Sequence, residues 1–455
     1  MKKYSFCGVS GSGMSAIAQV LKWQGNAVRG SDRSFDNGND KDVKSTLESL
    51  GIEIFPQDGS AITDDVDCLV VSSAVEDSIP DVKAAIDKNI KIKKRSDILA
   101  EIFHNYENSI AVGGTSGKTT VTAMVGHILR KLNQNPCIID GGIMVNILKE
   151  SKGLGNAYYK EGENCVVEVD ESDGSIEKFI PKVALVNNIT HDHKPVEELK
   201  VLFSNFVSRA KLGAVVNLDC EYSKELLDIR NEILTFSIES DDADFYAYDI
   251  KPLPGGVEYY LDGERFELKL TGRFNISNAL AAIASVSILG LDRYQAAKAL
   301  EDFLGTKRRL ELIGEKNNIT VIDDFAHNPD KIAASLSALL DYEGRLLIMF
   351  QPHGYAPMRM MGNDIAKVFY DNLKDEDILI MPEIYFAGGT VTKDISSKDF
   401  TNLVKKKGKN AVFCENREAV EEYILENAKS GDRVIIMGAR DNTLTSFAKN
   451  ILEKI

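Results

Sequence analysis

AVGGTSGKTT, residues 111–120, decides how the middle of this 455-residue chain folds. An apolar run leads into a glycine turn. Lys118-Thr119 then opens a stretch in which Val121, Met124, Val125, Ile128, Leu129 and Leu132 recur at helical spacing. The order is strand, loop, helix, in which backbone N–H groups and the positive helix end face an anion. The loop is shorter than the pattern G-x-x-x-x-G-K-[ST], since Val112 stands where a glycine would be. Lys118 can still reach terminal phosphates and the Thr119 hydroxyl can still join a magnesium ion. A mere glycine turn with an exposed lysine leaves the strand and helix around it unexplained.

Working outward, the chain reads as three α/β domains. Residues 1–107 alternate short apolar strands such as YSFCGV and DCLVVSSAV with helical stretches, a Rossmann-like pattern. Residues 108–305 hold the phosphate loop, further strands in NCVVEVDESD, KVALVNNITHDH and GAVVNLD, a small β-rich part, and a helix in GRFNISNALAAIASVSILG. This is a P-loop-type ATPase domain with a mainly parallel sheet. Residues 306–455 return to parallel α/β order through NITVIDDF, RLLIMFQPH, DILIMPEIYF and DRVIIMGA, a second Rossmann-like domain.

A net charge of −15 excludes a sequence-independent nucleic-acid binder. No apolar run approaches the roughly 18 residues of a membrane helix, and the start lacks the pattern of a signal peptide. The six cysteines have no C-x-x-C spacing, as expected for reduced, mostly buried thiols in the cytoplasm.

Two strand ends carry candidate chemistry. Glu168 closes CVVE and is followed by Asp170, Glu171 and Asp173, oxygen ligands of the kind magnesium takes. NNITHDH supplies His191 and His193; their spacing would suit zinc, but no cysteine or third histidine is near in sequence. Gly11-x-Gly13 with Asp32 following also fits a dinucleotide fingerprint, so an NAD-dependent oxidoreductase is the rival from another reaction class. That rival leaves the lysine-bearing loop and the later carboxylate and histidine without a role. His104 and His127 read as surface or helix-face residues, and Trp23, Met358, Met360 and Met361 as packing.

In order along the chain, GGTSGKTT, VEVDESD, NNITHDH, GRFNISN, KRRLE and DDFAHNP resemble the Mur ligases of peptidoglycan synthesis, over essentially the whole length. The opening GVSGSGMSAIAQVL…GSD is similar to the branch that takes UDP-N-acetylmuramate itself, whether to add L-alanine or a recycled peptide. In that family the shortened loop is the normal form. The resemblance implies ATP and magnesium as cofactors and an acyl-phosphate route to an amide. It implies that Gly114, Thr115, Ser116, Gly117, Lys118, Thr119 and Thr120 cradle ATP phosphates, with Thr119, Glu168 and His193 on magnesium. Asn275 and Asn278 would contact adenine, and Arg309, Asp324 and His327 would complete the ATP site from the third domain. Gly11, Gly13, Met14, Ser15, Asp32 and Ser73 would line the UDP-sugar pocket. Lys118, Glu168, His193 and Arg309 would be the catalytic set.

The chain departs from that branch at several positions. Ser116 stands where histidine is usual, Lys194-Pro195 follows THDH, and Gly354-Tyr355-Ala356-Pro357 replaces Arg-Tyr-Thr-Arg. The last strand ends MGARDNTL, placing Arg440 at a strand's C-terminal end, where such sheets bind ligands. Arg440 is therefore expected to grip the amino-acid carboxylate, with His353 or Tyr355 shaping the pocket. Another small amino acid or a peptide is the alternative amine.

Overall fold

The computed structural model describes residues 1–72, 76, 78–190, 194–253, 255–385, 392–439, 441 and 443–455. It divides into two compact units: Met1–Lys251, Glu258–Lys269 and Asn275–Thr306 form one, and Pro252–Val257, Leu270–Phe274 and Lys307–Ile455 the other.

The first unit holds two sheets. The N-terminal sheet has strands β1 (Lys3–Cys7), β2 (Ala27–Ser31), β3 (Glu53–Phe55), β4 (Cys68–Val71) and β5 (Lys91–Lys94) in the order β3-β2-β1-β4-β5. All its pairings are parallel. The order reverses direction at β1 and β4, so the glycine turn after β1 lies at the switch point where such sheets bind ligands.

The central sheet contains β6 (Asn108–Gly113), β7 (Pro136–Ile139), β8 (Ala157–Tyr159), β9 (Asn164–Glu168), β10 (Val183–Val186), β11 (Gly213–Asn217), β12 (Ile233–Ser237), β13 (Phe245–Leu253), β14 (Gly256–Leu261) and β15 (Glu264–Leu268). Their order is β15-β14-β13-β12-β11-β10-β6-β9-β7-β8. β10, β6, β9 and β7 run parallel, while the short edge strand β8 pairs antiparallel with β7. Strands buried on both faces are largely apolar, and VALV of β10 and CVV of β9 are fully buried. One continuous core joins both sheets, from Tyr4 and Phe6 to Phe203 and Leu226.

The second unit has β16 (Glu311–Lys316), β17 (Ile319–Asp324), β18 (Leu346–Gln351), β19 (Ile378–Pro382), β20 (Asn410–Cys414) and β21 (Arg433–Gly438) in the order β16-β17-β21-β18-β19-β20. Every pairing is parallel except β16 with β17. LLIMFQ of β18 and RVIIMG of β21 are buried throughout, which is why both were legible as strands.

Two packing expectations need correction. Met358 is buried and Met361 packs on the same core, but Met360 is 81% exposed, because it follows Met358 by two residues and so points off the buried helical face. His127 lies on a helix face but is 3% exposed. Its Nε2 sits 2.7 Å from Asp302 and 3.0 Å from the Ala299 carbonyl, and burial holds its pKa below the ordinary value. All six cysteines are free thiols.

Candidate active site

The loop after β6 leads into the helix Lys118–Lys131, and its glycines take backbone conformations that other residues resist. Gly114 has φ 129° and Gly117 φ 82°. A Cβ on Gly117 would come within 2.4 Å of Asn187 Nδ2 and 2.7 Å of Asn278 Oδ1, so only glycine fits.

Two asparagines at the end of β10 brace this loop. Asn187 and Asn188 each donate through Nδ2 to the Ser116 carbonyl at 3.0 Å. Asn188 Oδ1 accepts from the Ser116 N–H at 2.8 Å and from the Thr115 hydroxyl at 2.8 Å. Asn187 also donates to Asn278 at 3.0 Å, and Asn278 to Asn275 at 3.3 Å. Asn275 and Asn278, expected at adenine, thus lie buried beside the loop, Asn278 tied to it through Asn187.

Lys118 Nζ donates to the Gly114 carbonyl at 2.6 Å and to both Glu171 oxygens at 2.8 and 3.0 Å. Burial opposes the charged ammonium, but Glu171, Glu168 and Asp170 outweigh it and raise the pKa above the ordinary lysine value. For Glu171 burial dominates and raises the carboxyl pKa despite Lys118. The Thr119 hydroxyl donates to Glu168 Oε2 at 3.0 Å, and the Gly141 N–H reaches the same oxygen at 3.2 Å. Thr119 and Glu168 therefore present two oxygen donors beside the loop, the chemistry that suits a hard divalent cation.

On the other turn, Asp32 has its carboxylate committed. Oδ2 accepts from the Ser10 N–H at 2.8 Å and the Ser10 hydroxyl at 2.7 Å, and Oδ1 from the Ser34 N–H at 2.8 Å. Asp32 therefore shapes the glycine turn, and the ribose-binding role it would need in a dehydrogenase competes with three bonds already made. Met14 and Ser15 are buried at the start of the helix Ser12–Trp23. Arg95, which sequence reasoning passed over, lies against Gly13: a Cβ there would meet its guanidinium at 3.1 Å.

In the second unit, Arg309 lies 5.2 Å from the Phe325 ring centre, and His327 meets Phe325 and His353 edge-on at 5.4 and 5.2 Å. Asp324 accepts from the Ser335 hydroxyl at 2.6 Å and the Leu310 N–H at 3.2 Å. Neighbouring Arg308 adopts φ 59° and donates to the Gly438 and Asp441 carbonyls at 2.6 and 3.1 Å. Tyr355, 7% exposed, begins the helix Tyr355–Asn372 just after Gly354. Arg359 pairs with Asp394 at 2.5 Å. Ser73, His193 and Arg440 lie outside the described residues.

Sequence reasoning missed Asn187, Asn188, Gly141 and the assignment of Glu171 to Lys118. NN at a strand end and GG after another were the available signals.

Three family descriptions match in order: residues 3–107 the Mur ligase family catalytic domain, 112–286 the Mur ligase middle domain, and 308–440 the Mur ligase glutamate ligase domain. The chain is 33% identical to UDP-N-acetylmuramate–L-alanine ligase of Agathobacter rectalis, covering 99% of this chain and 97% of that protein. It is 35% identical to the enzyme of the same name from Dictyoglomus turgidum, covering 96% and 94%. The crystal structure of the Thermotoga maritima UDP-N-acetylmuramate-alanine ligase superposes with a TM-score of 0.82 at 27% identity, over 100% of this chain and 99% of that one. A Psychrobacter arcticus murein peptide ligase shares the fold, with a TM-score of 0.67 at 21% identity over 100% and 98%. The chain belongs to the Mur ligase family.

Proposed function

We propose that this Mur ligase is an ATP-dependent enzyme that joins the carboxylate of UDP-N-acetylmuramate to the amine of L-alanine, in cytoplasmic peptidoglycan precursor synthesis. The carrying observation is the convergence of Lys118, Thr119 and Glu168 on one loop, in a chain that relatives of that name match from end to end. The domains run 1–107, 108–305 and 306–455, binding UDP-sugar, ATP and amino acid in turn.

A carboxylate does not condense with an amine unaided, so phosphoryl transfer from ATP first makes it an acyl phosphate. The substrate must lie in line, and Lys118 supplies positive charge to the phosphoryl group in flight. Thr119 and Glu168 would hold magnesium, with His193; the bound ion neutralises charge on the phosphate oxygens. The amine then attacks, phosphate leaves, and no protein nucleophile is required. Arg309, Asp324 and His327 in the third domain, and Gly11, Gly13, Met14, Ser15 and Ser73 on the sugar side, keep the roles the family resemblance implies.

Gly354, without a side chain where the family carries arginine, favours one second reading: a different amine or a recycled peptide. Incubation with ATP, magnesium and UDP-N-acetylmuramate, with amino acids added singly, decides. Phosphate release specific to L-alanine is expected; release only with another amine or a peptide selects the second reading, and none with any amine sinks both.

A further inference from the structure

A buried asparagine joins the two substrate turns of the first unit. Asn156, 2% exposed, precedes β8 in the central sheet. Its Nδ2 donates to the Ser12 carbonyl at 2.7 Å and the Ser15 hydroxyl at 2.9 Å, both at the start of the helix that follows the N-terminal glycine turn. Its Oδ1 accepts from Gln19 Nε2 at 2.8 Å. Its own carbonyl accepts from the Asp140 N–H at 3.0 Å, at the turn after β7. The side chain thus bonds the sugar-side turn, while the main chain holds the turn that touches Glu168.

A second strut runs beside it. The Ser12 hydroxyl donates to the Gly141 carbonyl at 2.7 Å, and the Gly141 N–H donates to Glu168 Oε2 at 3.2 Å. That oxygen also accepts from Thr119 at 3.0 Å. The close approach requires glycine, since a Cβ on Gly141 would lie 2.6 Å from Glu168 Oε2. An unbroken path of hydrogen bonds therefore leads from the glycine turn to the phosphate loop.

We propose that Asn156 and Ser12 are positioning residues that fix the distance between the UDP-sugar turn and Glu168, so that the sugar's carboxylate meets the phosphoryl group in line. This rests on the function proposed above. Neither residue need touch a substrate; the tie acts on alignment, where a displacement of about 1 Å can cost roughly a hundredfold in rate.

The test separates binding from turnover in Ser12→Ala, Ser12→Thr and Asn156→Ala. Titration calorimetry gives the Kd of UDP-N-acetylmuramate alone and of a non-hydrolysable ATP analogue with magnesium; phosphate release gives kcat. The expectation is that kcat falls about tenfold in Ser12→Ala and more in Asn156→Ala, with each Kd within about twofold of wild type. Ser12→Thr, which keeps the hydroxyl, should retain wild-type kcat. The proposal is overturned if kcat is unchanged in Ser12→Ala, or if either Kd weakens as much as kcat falls. Should Asn156→Ala not fold, exposed Ser12 still decides. Wild-type protein that bound no UDP-sugar would instead overturn the function it rests on.

Discussion

Around the phosphate loop the candidate side chains hold one another: Lys118 bonds Glu171, Thr119 bonds Glu168, and Asn187 ties the loop to Asn278. In the third domain Arg309 and His327 both meet the Phe325 ring, His327 meets His353 edge-on, and Asp324 spends its carboxylate on Ser335 and Leu310. The first region is a polar site in which Lys118 is paired with Glu171 while the Glu168 carboxylate is held by neutral donors, Thr119 and the Gly141 N–H. The second is an aromatic shelf whose buried acid fixes the backbone. Changes in the first should strike chemistry, and changes in the third domain should show in substrate affinity and pH dependence.

Lys118→Ala should show the largest effect. It removes a cation poised for the phosphoryl group, and kcat should fall by about 10²–10³-fold. The same change leaves Glu171, 3% exposed, without its cation, so the melting temperature should also drop. Turnover near wild type would show that the charge network around the loop is only structural. Glu168→Gln comes next: it removes the oxygen's charge but keeps its shape, and the magnesium concentration for half-maximal rate should rise at least about tenfold. A magnesium titration that does not move would take Glu168 out of the metal site.

These two residues also mark what the sequence could tell. Lys118, Thr119 and Glu168 were readable because a glycine turn between strand and helix, and an acid at a strand end, have local signatures. Which acid in EVDESD pairs with which loop residue is not local. It depends on β9 lying beside β6, and that places Glu168 on Thr119 and Glu171 on Lys118. Asn187 and Asn188 reach the loop from the neighbouring strand β10, 71 and 72 positions after Ser116. The fold was plain where buried parallel strands are apolar throughout. It was faint at edges such as β8 and β16, whose half-exposed residues carry no run.

On the other side of the comparison, Arg440→Ala should raise the KM for L-alanine by roughly tenfold, the scale of one charge-assisted hydrogen bond. The KM values for ATP and UDP-N-acetylmuramate should stay near wild type. If all three moved together, or none did, Arg440 would have no place in carboxylate recognition.

The smallest effect concerns His327, and it tests how strongly partial burial governs the titration of this ring. Nδ1 lies 2.8 Å from the Phe325 carbonyl, so that nitrogen carries the hydrogen of the neutral ring. Burial lowers the pKa to about 4 from 6.5, and the nearby charges of Lys331, His353 and Arg309 push the same way. The unfolded chain therefore binds a proton on this ring between pH 6.5 and about 4 while the folded chain does not. Stability must then fall as the pH drops through that window, and be insensitive to this residue above it. His104 and His127 are shifted in the same direction, so wild type alone cannot isolate the effect. His327→Asn keeps a donor for the Phe325 carbonyl and removes the titrating group. Chemical denaturation midpoints at pH 4.5, 5.5 and 7.5 should show wild type losing more stability than the variant on acidification, with parallel behaviour above pH 6.5. Identical slopes for the two proteins across the whole range would mean that His327 titrates alike in the folded and unfolded chains, and the contrast between a charged loop and an aromatic shelf would fail at that residue.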